Sequence, residues 1–223
     1  MAEIIISVIA VAGVSGVLIL GWAIASDPTL RTIKEVEKRR IADVREGEYA
    51  RLVGTVEIDV PIVAPLSGRE CAFWTVVIEE KGFSDLWSTV LSEQGGVDFY
   101  VRDESGRALV RLHADHTDAS LTQDARFTSG LLKEAGPQLE AFLRKHGHTS
   151  KGWLLNKPMR YREGVVTSGE RVAVVARGRW EPDPDQESGA GGGYRHARPM
   201  RLVMSCEGSK SHLLLSDVPA TTE

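Results

Sequence analysis

Residues Ile4 to Ala25 (IIISVIAVAGVSGVLILGWAIA) carry no charged side chain and only two hydroxyls, Ser7 and Ser15. At about 1.5 Å rise per residue, such a run spans the roughly 30 Å hydrocarbon core of a bilayer. It is too apolar to be one face of a water-exposed helix. The expectation is therefore a single transmembrane helix over 4–25, with residues 1–3 on one side of a membrane and residues 26–223 on the other. A cleaved secretory signal fits less well, because such signals have a positive n-region and a shorter apolar core. Met1-Ala2-Glu3 offers no basic side chain; the basic residues lie beyond the run, at Arg31, Lys34, Lys38, Arg39, Arg40 and Arg45. Positive charge beside a span retains that end in the cytoplasm. The expected arrangement is a single-pass membrane protein with its N-terminus outside and its soluble part cytoplasmic.

The soluble remainder is large enough for one domain with a substantial core. The formal net charge of −4 and the pI near 5.9 argue against the broad basic footprint that nucleic-acid binding requires. Two cysteines, Cys71 and Cys206, cannot build a disulfide framework or a cysteine zinc cage.

After the span, Asp27-Pro28 reads as an N-cap and a first-turn proline. Leu30, Ile33, Val36, Ile41 and Val44 then share one helical stripe, which predicts a juxtamembrane helix over 28–44, within the segment 26–45, docked by that stripe on the C-terminal β-domain. From Gly47 the pattern changes to strands. Tyr49 to Glu57 is one, with Gly54 read as a bulge or sharp bend; Ala72 to Glu80 is a core strand. Val97 to Arg102 and Arg107 to Leu112 flank Asp103-Glu104-Ser105-Gly106, the clearest hairpin, with Gly106 expected at positive φ in a G1 bulge. A second helix is expected from Pro137 to His146, stopped by Gly147. Arg171 to Trp180 reads as a strand buried on both faces, and the segment 183–198 as a flexible Gly-rich loop. Met200 to Ser205 and His212 to Ser216 close the domain, and 218–223 form a polar tail. The fold class expected is mainly β (α+β): a small antiparallel barrel or sandwich with about two helices, behind one N-terminal transmembrane helix.

Several segments in order, GEYARLVGTVE (47–57), VAPLSGREC (63–71), FYVRDESGRALVRL (99–112), RYREGVVTSGERVAVVARG (160–178) and HLLLSD (212–217), resemble the GIDE domain. This beside-a-membrane (BAM) family occurs in mitochondrial and chloroplast membrane-anchored ubiquitin ligases and in bacterial membrane proteins, and its bacterial form is the more similar. The resemblance covers roughly 46–217. The motif positions it maps are Pro65, Gly68 and Cys71; Phe99, Val101, Asp103 and Gly106; and Arg160, Glu163, Gly169 and Glu170. It implies fold determinants at these positions rather than catalytic groups. The eukaryotic ligases it resembles carry a second span and a zinc-binding RING, and residues 1–223 contain neither. The resemblance thus implies a membrane-anchored module that binds a partner, a protein in the first instance and lipid in the second. In the alternative, it holds substrates for a ligase whose RING another chain supplies.

The cluster His113, Asp115, His116 and Asp118 has metal-ligand residue types, but not the i,i+4 spacing that preorganises ligands on a helix. A solvated loop is the plainer expectation, and a metal-binding module built on this cluster is the remaining alternative. No nucleophile signature surrounds Cys71, and a free cysteine in a strand behaves as a small apolar residue. The sequence therefore predicts no catalytic residue, no cofactor and no resident metal, and a chain that is not itself an enzyme.

Overall fold

The computed structural model describes residues 27–82, 86–129, 137–147, 158–184, 199–206 and 212–223. The apolar run 4–25 and most of the loop 183–198 lie outside these residues. Among the described residues no helix is long and apolar enough to cross a membrane.

Helix α1 (Pro28–Glu35) starts where the sequence indicates. The Asp27 carboxylate accepts from the Thr29 and Leu30 N–H groups, and Leu30 and Ile33 are buried. The helix expected over 28–44 nevertheless stops at Val36, which is extended. The next residues run beside the first strand: the Arg39 N–H donates to Arg51 O at 2.9 Å, and the Arg51 N–H to Glu37 O at 3.2 Å. A 3-10 turn then forms at Ile41–Asp43. Ile33 packs on the outside of the barrel with Val53 and Val175, whereas Ile41 and Val44 belong to the barrel interior. One straight helix could not reach both places, so the chain unwinds between them.

The barrel is built from β1 (Tyr49–Glu57), β6 (Phe99–Arg102), β7 (Arg107–Val110), β11 (Arg171–Pro182) and β12 (Met200–Ser205). The ring closes because β1 pairs with both β6 and β11. Residues alternate inward along each strand, as in Ala50, Leu52 and Val56 of β1 and Val172, Val174 and Ala176 of β11, and the interior fills with aliphatic side chains and Phe99. Val172 to Ala176 are all buried, because α1 covers the outer face there. The strands are not all antiparallel as expected. β12 lies parallel to β7, and β13 (Leu213–Ser216), which extends the barrel from β11, lies parallel to β8 (Thr117–Ser120). The five strands thus close into a barrel with one parallel pair, β7 with β12.

The residues between β1 and β6, and between β7 and β11, build a second layer. β4 (Phe73–Lys81), β5 (Trp87–Gly96), β9 (Ala125–Ser129) and β10 (Met159–Val166) form a four-stranded antiparallel sheet in the order β5-β4-β10-β9. Helix α2 (Pro137–Lys145) covers one of its faces: Leu139, Phe142 and Leu143 pack on Val76, Ile78, Met159 and Tyr161. Gly147 ends this segment at φ 73°. β2 (Ile62–Val63) and β3 (Glu70–Cys71) form a small separate hairpin.

Three local expectations need correction. The β1–β11 register is unbroken through Gly54, so there is no bulge; a Cβ at Gly54 would lie 2.3 Å from Arg102 O, and the glycine serves close strand approach. Gly106 is not at positive φ. Its turn is instead held by the Asp103 carboxylate, which accepts from the Ser105 and Gly106 N–H groups and, through its other oxygen, from the Ile41 N–H at 2.8 Å. The tail is not a free polar end: α3 (Pro219–Thr222) buries Thr221 and Thr222, and Arg171 Nε donates to Thr222 O at 2.9 Å.

Candidate functional site

The positions mapped by the family resemblance converge on structural contacts. Glu163, fully buried on β10, accepts the Leu66 N–H at 2.8 Å and the Ser67 N–H at 2.9 Å. Its carboxylate thus holds the Pro65-to-Gly68 turn, in which Gly68 sits at φ 72°. Cys71, also fully buried, pairs with Ile62. Burial pushes its thiol up to about 11, and the nearby Glu163 charge adds to the rise, so it carries no thiolate at neutral pH. Phe99 is in the barrel core, and Gly169, at φ 85°, donates to Val56 O at 2.8 Å. Arg160 Nη2 donates to Glu79 Oε1 at 2.8 Å.

The metal-type cluster does not assemble from its own segment. His113 and Asp115 are exposed on a 3-10 turn, and Asp118 lies on β8. Parallel pairing of β8 with β13 instead brings in His212, whose Nδ1 lies 2.9 Å from Asp118 Oδ2 and whose ring centroid is 5.8 Å from that of His116. Among the described residues no group of three potential ligands could hold a metal ion. The basic stretch after α1 is largely spent internally. Arg39 pairs with Glu37 and Glu48, and Arg40 with Asp43.

One feature with the shape of a binding site is a groove of about 580 Å³ between the two layers, within the range of small-ligand sites. Its floor is the sheet face opposite α2. Cross-strand pairing puts Thr75 beside Gln94 and Gly164, and Val77 beside Ser92 and Arg162, all on that face. Its wall is β8, running from Thr117 to Ser120, together with Asp27 and Thr29 at the start of α1. Gln94 Nε2 donates to Thr117 O at 2.7 Å, tying wall to floor. Ser120 Oγ donates to Asp27 Oδ2 at 2.6 Å, so the residue that caps α1 also fixes the wall. Gly164 permits the closure, since a Cβ there would lie 2.9 Å from both Leu121 Cβ and Thr122 O.

The open face continues beyond the groove. Glu79, only 7% exposed, is clamped between Arg160 and Arg162, the latter at 2.7 Å; the hydrogen bond from Arg160 is the main reason its carboxyl titrates below the usual range. Arg160 also stacks over Trp87, its guanidinium carbon 4.6 Å from the ring centroid. Glu79, Arg160, Arg162 and Trp87 position charge and offer hydrogen bonds, and none of them is a nucleophile. The sequence reading missed this face, apart from Arg160. The available signal was Arg160-x-Arg162 in a strand, which places two guanidinium groups on one side; the partner strands β5 and β9 are polar edges with little apolar alternation. Comparison with protein-family models, with curated proteins and with solved structures finds no match.

Proposed function

We propose that this protein is a non-catalytic binding module held beside a membrane by residues 4–25, with a GIDE-like β-domain as its working part. The supporting observation is the position of the groove. Asp27, two residues after the apolar run, is at once the cap of α1 and part of the groove wall. With 4–25 in a bilayer, the wall starts within a few residues of the lipid surface. The floor and wall are hydroxyls, amides and paired charges, the lining of a recognition site. Buried, protonated Cys71 lies in the small hairpin and not in the groove lining. The order and spacing of the resembling segments support the same reading, and the bias of Arg31 to Arg45 supports a cytoplasmic domain.

The test is topology together with capture. A C-terminal reporter active only in the cytoplasm, alkaline-resistant membrane association, and co-purification of one partner with full-length protein are the expected results. Extraction of the full chain by alkaline carbonate, or labelling of the domain from outside intact cells, would overturn the anchored, cytoplasmic reading. Turnover of a small substrate that depends on a groove residue would overturn the non-catalytic one.

A further inference from the structure

The open face of the four-stranded sheet carries a charge opposite to that of the chain. Pairing registers put Lys81, Glu79, Arg160, Arg162 and Arg126 on this face: Lys81 opposite Trp87, Arg160 opposite Glu79, and Arg162 opposite Arg126. Leaving Lys81 aside, Arg126, Arg160 and Arg162 there face one carboxylate, Glu79, in a protein of net charge −4. Two details show that the balance is incomplete within the fold. Arg126 and Arg162 are directly opposed across antiparallel strands, a like-charge pairing that ordinarily destabilises a sheet. Arg126 is exposed and, among the described residues, has no carboxylate partner. In addition, Arg162 Nε is screened from solvent and has no acceptor, although buried donors are nearly always paired. Both details call for an anionic acceptor between β9 and β10. Of the acids lining the groove, Asp27 is committed to the α1 cap and Ser120, Asp118 lies against His212, and Glu93, paired with Val76, is turned toward α2, 2.7 Å from His146.

We infer that this face, from Trp87 to Arg126 and into the groove at Arg162, docks an acidic segment of a partner protein in extended conformation. The inference rests on the binding-module reading above and names its partner class. Carboxylate side chains match the planar guanidinium forks of Arg126 and Arg162. Among the described residues β9 pairs only with β10, so the sheet edge beside Arg126 is open and the face it borders is free for an extended segment. A flat anionic bilayer has no means of entering the groove floor, whereas a side chain does.

The probe is a fluorescein-labelled peptide of about ten residues, long enough in extended form to cross the roughly 15 Å from β5 to β9, rich in glutamate and free of cations, titrated into full-length protein in neutral detergent. Saturable binding that weakens with salt is expected. Arg126→Glu should weaken it at least about tenfold without lowering the thermal unfolding midpoint, since this side chain has no partner to lose and the new carboxylate replaces a like-charge pair with Arg162. Lys34→Glu, on α1 away from the face, carries the same change of charge and should have little effect. Equal weakening by both variants would reduce the effect to net charge and overturn the proposal. So would absence of binding, or binding of phosphatidylserine nanodiscs that Arg126→Glu abolishes and the peptide does not compete for. Capture of a neutral or basic peptide, unaffected by Arg126→Glu, would overturn the acidic partner while leaving the binding-module reading standing.

Discussion

Glu163→Gln tests how the second layer is held together. The wild-type carboxylate is fully buried and accepts two backbone N–H groups, from Leu66 and Ser67. Glutamine offers one oxygen, so one N–H keeps an acceptor, now neutral, and the other faces an NH₂ group. A hydrogen bond to a charged acceptor contributes about 1.5–3 kcal/mol, and an orphaned buried donor costs about 1–3 kcal/mol. Against this, the neutral side chain is less costly to bury than a carboxylate. The expected net loss is about 3 kcal/mol, or about 9 °C in Tm for a domain of this size. Urea unfolding of a protein lacking residues 1–25 should show a lower midpoint at unchanged m-value. Hydrogen exchange should accelerate at Leu66 and Ser67 before it does at β11. Glu163→Asp, which keeps the charge but withdraws it from both N–H groups, should lose a similar amount. If Glu163→Gln costs less than about 0.5 kcal/mol, or if both amides stay protected, the carboxylate does not hold the turn and this reasoning fails.

Cys71→Ser should cost about 1–3 kcal/mol where its hydroxyl lacks a partner, and in the folded wild type an alkylating reagent followed by mass spectrometry should modify Cys206 well before Cys71. Gly54→Ala should lose about 3 kcal/mol by overpacking, because the atom it meets is backbone at 2.3 Å, whereas Gly106→Ala, with Ile41 Cγ2 at 3.4 Å, should lose far less; denaturant midpoints give the comparison. Burial raises the Asp217 carboxyl above its ordinary value, so the folded state holds the proton more tightly than the unfolded chain and stability falls as pH rises through that window. Asp217→Asn retains an acceptor for the Thr122 N–H and should gain relative to wild type as pH rises from about 3 to 7, read by thermal unfolding across pH. Glu79 has the opposite sign: its depressed carboxyl stabilises above the unfolded pKa, and that contribution is lost as pH falls through the folded one. Removing residues 1–45 instead of 1–25 should abolish cooperative melting in calorimetry, since Ile33, Ile41 and Val44 leave the core, each contributing about 1.5–3 kcal/mol.

Local chemistry was legible in the sequence wherever a few neighbouring residues decide the outcome. The Asp27-Pro28 start of α1, the limits of β1, the Phe99–Arg102 and Arg107–Val110 hairpin, and the Gly147 stop all arise from caps, alternation and turn residues within a few positions. The apolar run 4–25 is a local signal of the same kind, but it lies outside the described residues. What only the tertiary structure decided depends on strands distant in sequence. β5, β8 and β9 are polar strands at sheet edges, without the apolar periodicity that marks a buried strand. The end of α1 at Val36 is set by where the barrel needs Ile41, not by helix propensity in residues 36–44. Glu163 meets Leu66 across 97 positions, and Arg126 meets Arg162 only because β9 pairs with β10. Periodicity encodes which face a side chain takes on its own element. It does not encode which element lies opposite, because that depends on the free energy of the whole packed arrangement, and both the groove and its charged floor arise at that level.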